Sequence, residues 1–360
     1  MNTPTELLRN PAAQRWQWLD AAKGLGIALI VWGHIYSITD PSALQVYVYA
    51  FHVPLFFFVS GLTFNPDRQT PAQMVRSKSR SLLLPYLCYA LLGYAFYLAG
   101  YTLAQAMGLQ LKQFDYGLWP PLIGVFYGSL GDGHLVNTPV WFVIALFCTL
   151  VIGQLLNRGV KSKPLSMALA LLIGAVGQWI GQQVKLPFSL APAMLGLVFF
   201  QAAYLLKPWV FESRITPATK WLVLLVCLAV SLWSQVNGFV AVAGPSVGNY
   251  GWFLLFGFTG SIAVIALTQL LEPHGAWLAR LGRYSLSIMV IHFLIIKSVK
   301  VVMTAVLHVD MATMDDSSGI GTFVLLATGI LLIPTVWVME RYLPWTLGKS
   351  RPGNRTLAGA

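Results

Sequence analysis

Charge is what this 360-residue chain has least of: 10% of its residues are Asp, Glu, Lys or Arg, against 57% that are hydrophobic. So little polar surface cannot cover a soluble domain, and a mean hydropathy of +0.68 places the chain among integral membrane proteins. Cysteine is almost as scarce. Cys88, Cys148 and Cys227 each lie in an apolar stretch without disulfide or metal-ligand spacing, and read as small packing residues. No GxGxxG or Walker-type glycine loop is present, which excludes a soluble nucleotide-binding domain. There is no internal repeat. The first apolar run has no small-residue cleavage site behind it, so it is expected to stay as an anchor. A net charge of +11 could suggest nucleic acid, but the bases form short clusters between apolar runs rather than a stripe. No nucleic-acid partner is expected, and topology explains the clusters better.

What the chain does have is long apolar runs. A hydrocarbon core needs roughly 17–25 apolar residues per helix, which predicts an all-α bundle of about ten transmembrane helices. They fall near residues 21–38, 44–64, 82–101, 139–157, 164–181, 188–206, 218–236, 251–271, 284–306 and 320–340. Residues 1–20 and 341–360 are left as tails, the second including GKSRPGNRTLAGA, which is expected to be disordered. With alternating crossings, nineteen of the twenty-three Lys and Arg residues fall on the side of the N-terminus, so both tails are expected in the cytoplasm. Asp40, Asp115, Asp132, Asp310, Asp315 and Asp316 fall on the opposite side. Many of the thirteen Trp and fourteen Tyr sit near the ends of apolar runs, where amphipathic rings settle. The stretch 102–138, with LWPPLIGVFYGSLGDGH, is apolar but broken by Pro and Gly. It reads either as an interfacial or re-entrant lid segment or as an ordinary loop.

Ionisable side chains inside spans are costly and suggest function. Lys23 and His34 lie eleven residues apart in the first run, about three helical turns, and so share one face. His52 follows on the second span across a loop expected to be about five residues, which puts both imidazoles at similar depth near the outer surface. Histidine is suited to accept and return a proton near neutral pH; the plain alternative is a helix-to-helix hydrogen bond. Lys23 could equally be a snorkelling boundary lysine and Asp20 a helix-start acid. Arg76, Lys78 and Arg80 precede the third span, where they could fix topology, hold anionic lipid, or grip the phosphates of a cofactor. His292 lies near mid-span in the ninth run, with Lys297 and Lys300 further out, which calls for a hydrated or partnered interior.

The stretches LDAAKGLGIALIVWGH, FHVPLFFFVSGLTF, RSLLLPY, PVWFVIALF and LGRYSLSIMVIH, in this order over about 270 residues, resemble membrane-bound acyltransferase family 3. These are bacterial O-acyltransferases that modify surface polysaccharides. The family's hallmark, a basic residue and a histidine with ten residues between them, is matched by Lys23 and His34. The resemblance makes 21–340 an acyltransferase domain, His34 functional, and Ser60, Trp141, His292 and Asp20 supporting positions. Family members also carry two arginines separated by two residues before the third span, implicated in acyl-CoA binding; Arg76, Lys78 and Arg80 depart from that spacing. With no soluble hydrolase-like domain after the last span, the chain resembles the stand-alone branch. That branch includes acetylases of exopolysaccharides, enterobacterial common antigen and fucose residues.

The resulting expectation is a multi-pass protein of the bacterial inner membrane that moves an acetyl group from cytoplasmic acetyl-CoA to a hydroxyl of a surface polysaccharide or lipid-linked sugar. His34 would be the general base, His52 would orient it or share the proton, and Lys23 would organise the cofactor side; no metal is required. Direct transfer and relay through an acyl-histidine both remain open. Membrane lipids and polysaccharide-synthesis machinery are the other expected partners. The rival readings are a proton-coupled transporter or flippase of a glycan or lipid-linked sugar, and a non-catalytic partner of a polysaccharide synthase.

Overall fold

The computed structural model describes residues 16–108, 114–130, 134–212, 215–244, 246–272, 274–309, 313–314 and 317–350. The tails 1–15 and 351–360, and with them Arg9, Arg15, Arg351 and Arg355, lie outside the described residues, as do Arg214, Asp132, Asp310, Asp315 and Asp316. Among the described residues the regular structure is all helical, with one isolated antiparallel bridge, Ala241 to Ser246, in a loop.

The helices are α1 (Gln17–Gly33), α2 (Ala43–Leu62), α3 (Pro71–Lys78), α4 (Leu84–Ala106), α5 (Trp119–Tyr127), α6 (Trp141–Gly159) and α7 (Lys163–Gln183). They continue as α8 (Leu190–Glu212), α9 (Pro217–Leu232), α10 (Tyr250–Leu270), α11 (Ala276–Arg283), α12 (Ser285–Leu307) and α13 (Ser318–Tyr342). Among the described residues nine helical segments are long and apolar enough to cross a membrane. The 17-residue α1 stands at the lower limit for a span, and brings the number to the expected ten.

Helix starts follow local chemistry. Ser42 and Gln45 form a capping box ahead of α2, and Thr70 with Gln73 does the same for α3, where Pro71 occupies the first turn without needing a donor. Between α3 and α4 the residues Ser79–Leu83 form a π-turn, which re-aims the fourth helix relative to the basic segment before it. Thr216 and Pro217 start α9, and Asn249 and Ser317 cap α10 and α13.

The observed first span departs from the expectation. It runs over 17–33, not 21–38, because polar Gln17 and Asp20 join the helix and His34 ends it as the C-cap. The loop to α2 therefore has nine residues, His34 to Ser42, where about five were expected. In the 102–138 stretch, α5 has nine residues, about 13 Å long, too short to cross. Tyr86 Oη donates to the Val125 carbonyl (2.5 Å), tying α5 to α4, while Trp119, Ile123 and Phe126 stay exposed. That places α5 as a surface-lying apolar segment; 109–113 and 131–133 of this stretch lie outside the described residues.

α2 is the central helix, packed by α1, α8 and α10 and burying Phe51, Leu55, Phe57, Phe58 and Leu62. At the periphery Trp179 of α7, Leu222 of α9 and Ile333 of α13 are exposed, Ile333 by 74%. Such an apolar outer shell belongs in lipid. Lipid supplies no hydrophobic drive between helices, so close backbone approach must replace it. α1 and α11 achieve this at Gly24 and Gly282: a Cβ on Gly24 would run into the Leu278 carbonyl, and one on Gly282 into the Asp20 carbonyl.

Trp16 stacks edge-on to Phe211 at the end of α8, Lys207 donates to the Phe64 carbonyl after α2, and Tyr89 bonds Thr346 after α13. These contacts gather the start of α1 and the segment after α13 at one end of the bundle, with Arg68, Arg76, Lys78, Arg80 and Arg158. This is the basic end; His34 lies at the far end.

Candidate functional site

At the far end the His34 and His292 rings pack together, with His52 of α2 within electrostatic reach of His34. His34, half-buried, closes α1 with its backbone N–H on the Ile30 carbonyl. Tyr49 Oη donates to the Gly33 carbonyl (3.1 Å), which pins the end of α1 to α2 one turn above His52. His52 is buried, packs edge-on to Tyr49 (4.5 Å between centroids), and has Nδ1 2.9 Å from the Val48 carbonyl. His292 of α12 is fully buried, with Nδ1 2.9 and 3.0 Å from the Ile288 and Met289 carbonyls. Its ring centroid is 5.3 Å from that of His34, and His52 is also within electrostatic reach of His34.

A nitrogen that faces carbonyl oxygens must carry hydrogen, so His52 and His292 are both Nδ1–H tautomers and present bare Nε2 atoms. The surroundings are fixed by buried polar contacts. Asn137, fully buried before α6, donates from Nδ2 to the carbonyls of Tyr89 (3.1 Å) and Val290 (2.8 Å), joining α4 to α12 beside the histidines. Phe293 meets the His34 ring edge-on at 5.5 Å, and Lys297 Nζ stands 4.7 Å over Phe293. Lys300 Nζ donates to the Ile35 carbonyl (2.6 Å), so α12 also holds the turn that follows His34. No group of three His, Cys, Asp or Glu side chains among the described residues converges as a metal would need.

At the basic end a cavity of about 360 Å³ opens between α2, α3 and α6. Ser60, Arg68, Ser77, Lys78 and Gln154 line its polar part. Lys78 and Arg68 are close enough for their charges to oppose each other, a conflict that a bound anion would relieve. Gln154 donates from Nε2 to the carbonyls of Pro66 (3.0 Å) and Gln69 (3.1 Å), and Arg158 donates to the same two, so α6 shapes the loop that carries Arg68. Gln154 Oε1 is buried with no partner. Ser60 Oγ donates to the Phe56 carbonyl. Ser60 and His52 are two turns apart on α2, about 12 Å, so this helix runs from the cavity to the histidines.

Of the expected residues, His34 and His292 come together with His52 within electrostatic reach of His34, and Lys78 and Ser60 line the cavity. Arg76 and Arg80 are exposed and do not line it. Lys23 pairs with buried Asp20 (3.3 Å) at the basic end, about 16 Å along α1 from His34, and does not join the histidines. Trp141 is buried at the start of α6, packed on Phe142. Arg68, Gln154, Asn137 and Tyr49 escaped the sequence reading. Gln154 and Arg158, one turn apart on a mostly apolar helix, were the available signal for the cavity.

The acyltransferase domain of family 3 matches residues 16–339, nearly the whole chain. No curated protein and no solved structure matches it. The matched segment contains both the histidine cluster and the basic-end cavity. By this match and its array of spanning helices, the chain belongs to acyltransferase family 3 and is a multi-pass membrane acyltransferase.

Proposed function

We propose that this protein is an O-acetyltransferase of the bacterial inner membrane, taking acetyl from cytoplasmic acetyl-CoA and passing it to a hydroxyl of a surface-polysaccharide or lipid-linked sugar. The observation that carries this reading is the His34–His292 ring pair with His52 within electrostatic reach, His34 being the half-buried member that a substrate can approach. The charge asymmetry supports the basic end as the cytoplasmic one. There Arg68 and Lys78 would hold the cofactor's phosphates, and the unpartnered Gln154 oxygen would accept from an amide N–H of the pantetheine arm as it runs along α2.

In the transfer, a ring nitrogen of His34 takes the proton of the sugar hydroxyl as its oxygen attacks the thioester carbonyl carbon. The C–S bond breaks, the CoA thiolate leaves, and the proton held by His34 is returned to it, giving the sugar ester and free CoA. His52, with a bare Nε2, would accept from a neighbouring hydroxyl of the sugar and so orient it, leaving the reacting O–H to His34. Lys23 is too far from His34 to touch the reacting atoms; its place is the cofactor end, with Asp20. Incubation of purified protein with labelled acetyl-CoA and candidate glycans tests the reading. Label on sugar supports it; glycan movement across vesicles without labelling would support a transporter, and neither outcome with every glycan tried would favour a non-catalytic partner.

A further inference from the structure

A base that works by accepting a proton needs a partner for its other nitrogen, so that the ring is held in one tautomer and its charge is met once it forms. In hydrolytic triads this partner is a carboxylate. Here none of the described carboxylates lies within reach of His34; the groups that act on it are His292 and His52. His292 is held by two backbone carbonyls with Nδ1–H as donor, which leaves Nε2 a bare acceptor. That atom is buried and has no hydrogen-bond partner, an expensive state to maintain inside a protein. Its ring lies 5.3 Å from the His34 ring. Phe293 also packs edge-on to the His34 ring, at 5.5 Å between centroids, and offers it no polar group.

The geometry points to His292 as the positioning residue of the site: its Nε2 is the acceptor toward which His34 turns its N–H, leaving the other His34 nitrogen bare for the substrate hydroxyl. This rests on the acyl-transfer reading of His34. The proton taken from the hydroxyl then sits on the free nitrogen, while the resulting imidazolium is held through its N–H to His292 Nε2. His292 itself neither gains nor loses a proton, and touches no reactant. Asn137 serves this arrangement from behind, because its bond to the Val290 carbonyl fixes the turn of α12 that carries His292.

Two isosteric variants separate this role from simple packing. His292→Asn keeps an N–H donor where Nδ1 was but has nothing at the Nε2 position; His292→Gln can place a carbonyl oxygen there and gives up the Nδ1 donor. Positioning predicts that the Gln variant retains most of the transfer rate, while the Asn variant loses roughly ten- to a hundredfold in kcat with little change in KM. A structural role predicts the reverse order, with Asn tolerated, and that result would overturn the proposal. The second readout needs no turnover: ¹⁵N-histidine NMR of the full chain in detergent, with His34 assigned by its loss in His34→Ala. Wild type and the Gln variant should show His34 as one protonated and one bare nitrogen, and the Asn variant an averaged pair. An identical His34 pattern in all three would also refute it. If the wild-type protein transfers no label to any glycan, the reading of function fails by itself and the NMR comparison still decides the role of His292.

Discussion

Neutralising the two bases that line the basic-end cavity should cost the protein its acyl-CoA, whereas neutralising the two exposed ones should not. Lys78 is half-buried in the cavity wall, so its loss removes a charge-assisted bond of about 1.5–3 kcal/mol. Arg68 lines the same cavity but is exposed at its mouth, where solvent screening leaves about 1 kcal/mol. Together Arg68→Gln and Lys78→Gln should weaken binding roughly a hundredfold or more, at about 1.4 kcal/mol per tenfold. Arg76 and Arg80 are also exposed and do not line the cavity, so Arg76→Gln with Arg80→Gln should change affinity by less than about fivefold. Isothermal titration of the purified protein with acetyl-CoA, at two salt concentrations, measures both pairs. Equal weakening by the two double variants, or none by the first, would refute assignment of the cavity to the donor.

Other consequences bear on packing and on the polar contacts that shape the site. Gly282→Ala drives a methyl into the Asp20 carbonyl, and should destabilise the α1–α11 contact by about 1–3 kcal/mol, read as a lower melting midpoint in detergent. Asn137→Leu removes the side-chain donor that bridges the Tyr89 and Val290 carbonyls, which keep their intrahelical partners, and should cost about 0.5–1.5 kcal/mol per lost bond together with a loss of transfer rate. An Asn137→Leu protein with wild-type melting would show that this clamp contributes nothing. Lys23→Gln should lower stability by only about 1 kcal/mol, since the lysine side chain of the pair keeps 30% of its exposure, and a melting midpoint lowered by several times that amount would refute this weight for the pair.

The spans were legible because each is an apolar run of crossing length, a local property of the chain. Their ends were less so. Asp20 reads as a boundary residue, yet it is buried within α1, where the Lys23 ammonium meets its carboxylate at 3.3 Å. That His52 would lie within electrostatic reach of His34 was readable from the hairpin, even though the loop proved longer. That His292 would stand beside His34 depends on α12 packing against α1, a contact across more than 250 residues that no periodicity records. The same holds for the cavity. Arg76, Lys78 and Arg80 form one cluster in sequence, but the helical turn of α3 and the π-turn after it point only Lys78 inward, while Arg68 arrives from the preceding loop. Asn137 gives no sign of its role in sequence, since both its acceptors belong to other helices.

The account depends most on His34 as the proton acceptor, and His34→Ala tests that directly. With labelled acetyl-CoA and the glycan that the wild-type protein modifies, the variant should lose roughly 10²- to 10⁴-fold of its transfer rate while keeping its melting midpoint and membrane insertion. Near-normal transfer by an inserted, folded His34→Ala protein would contradict the mechanism.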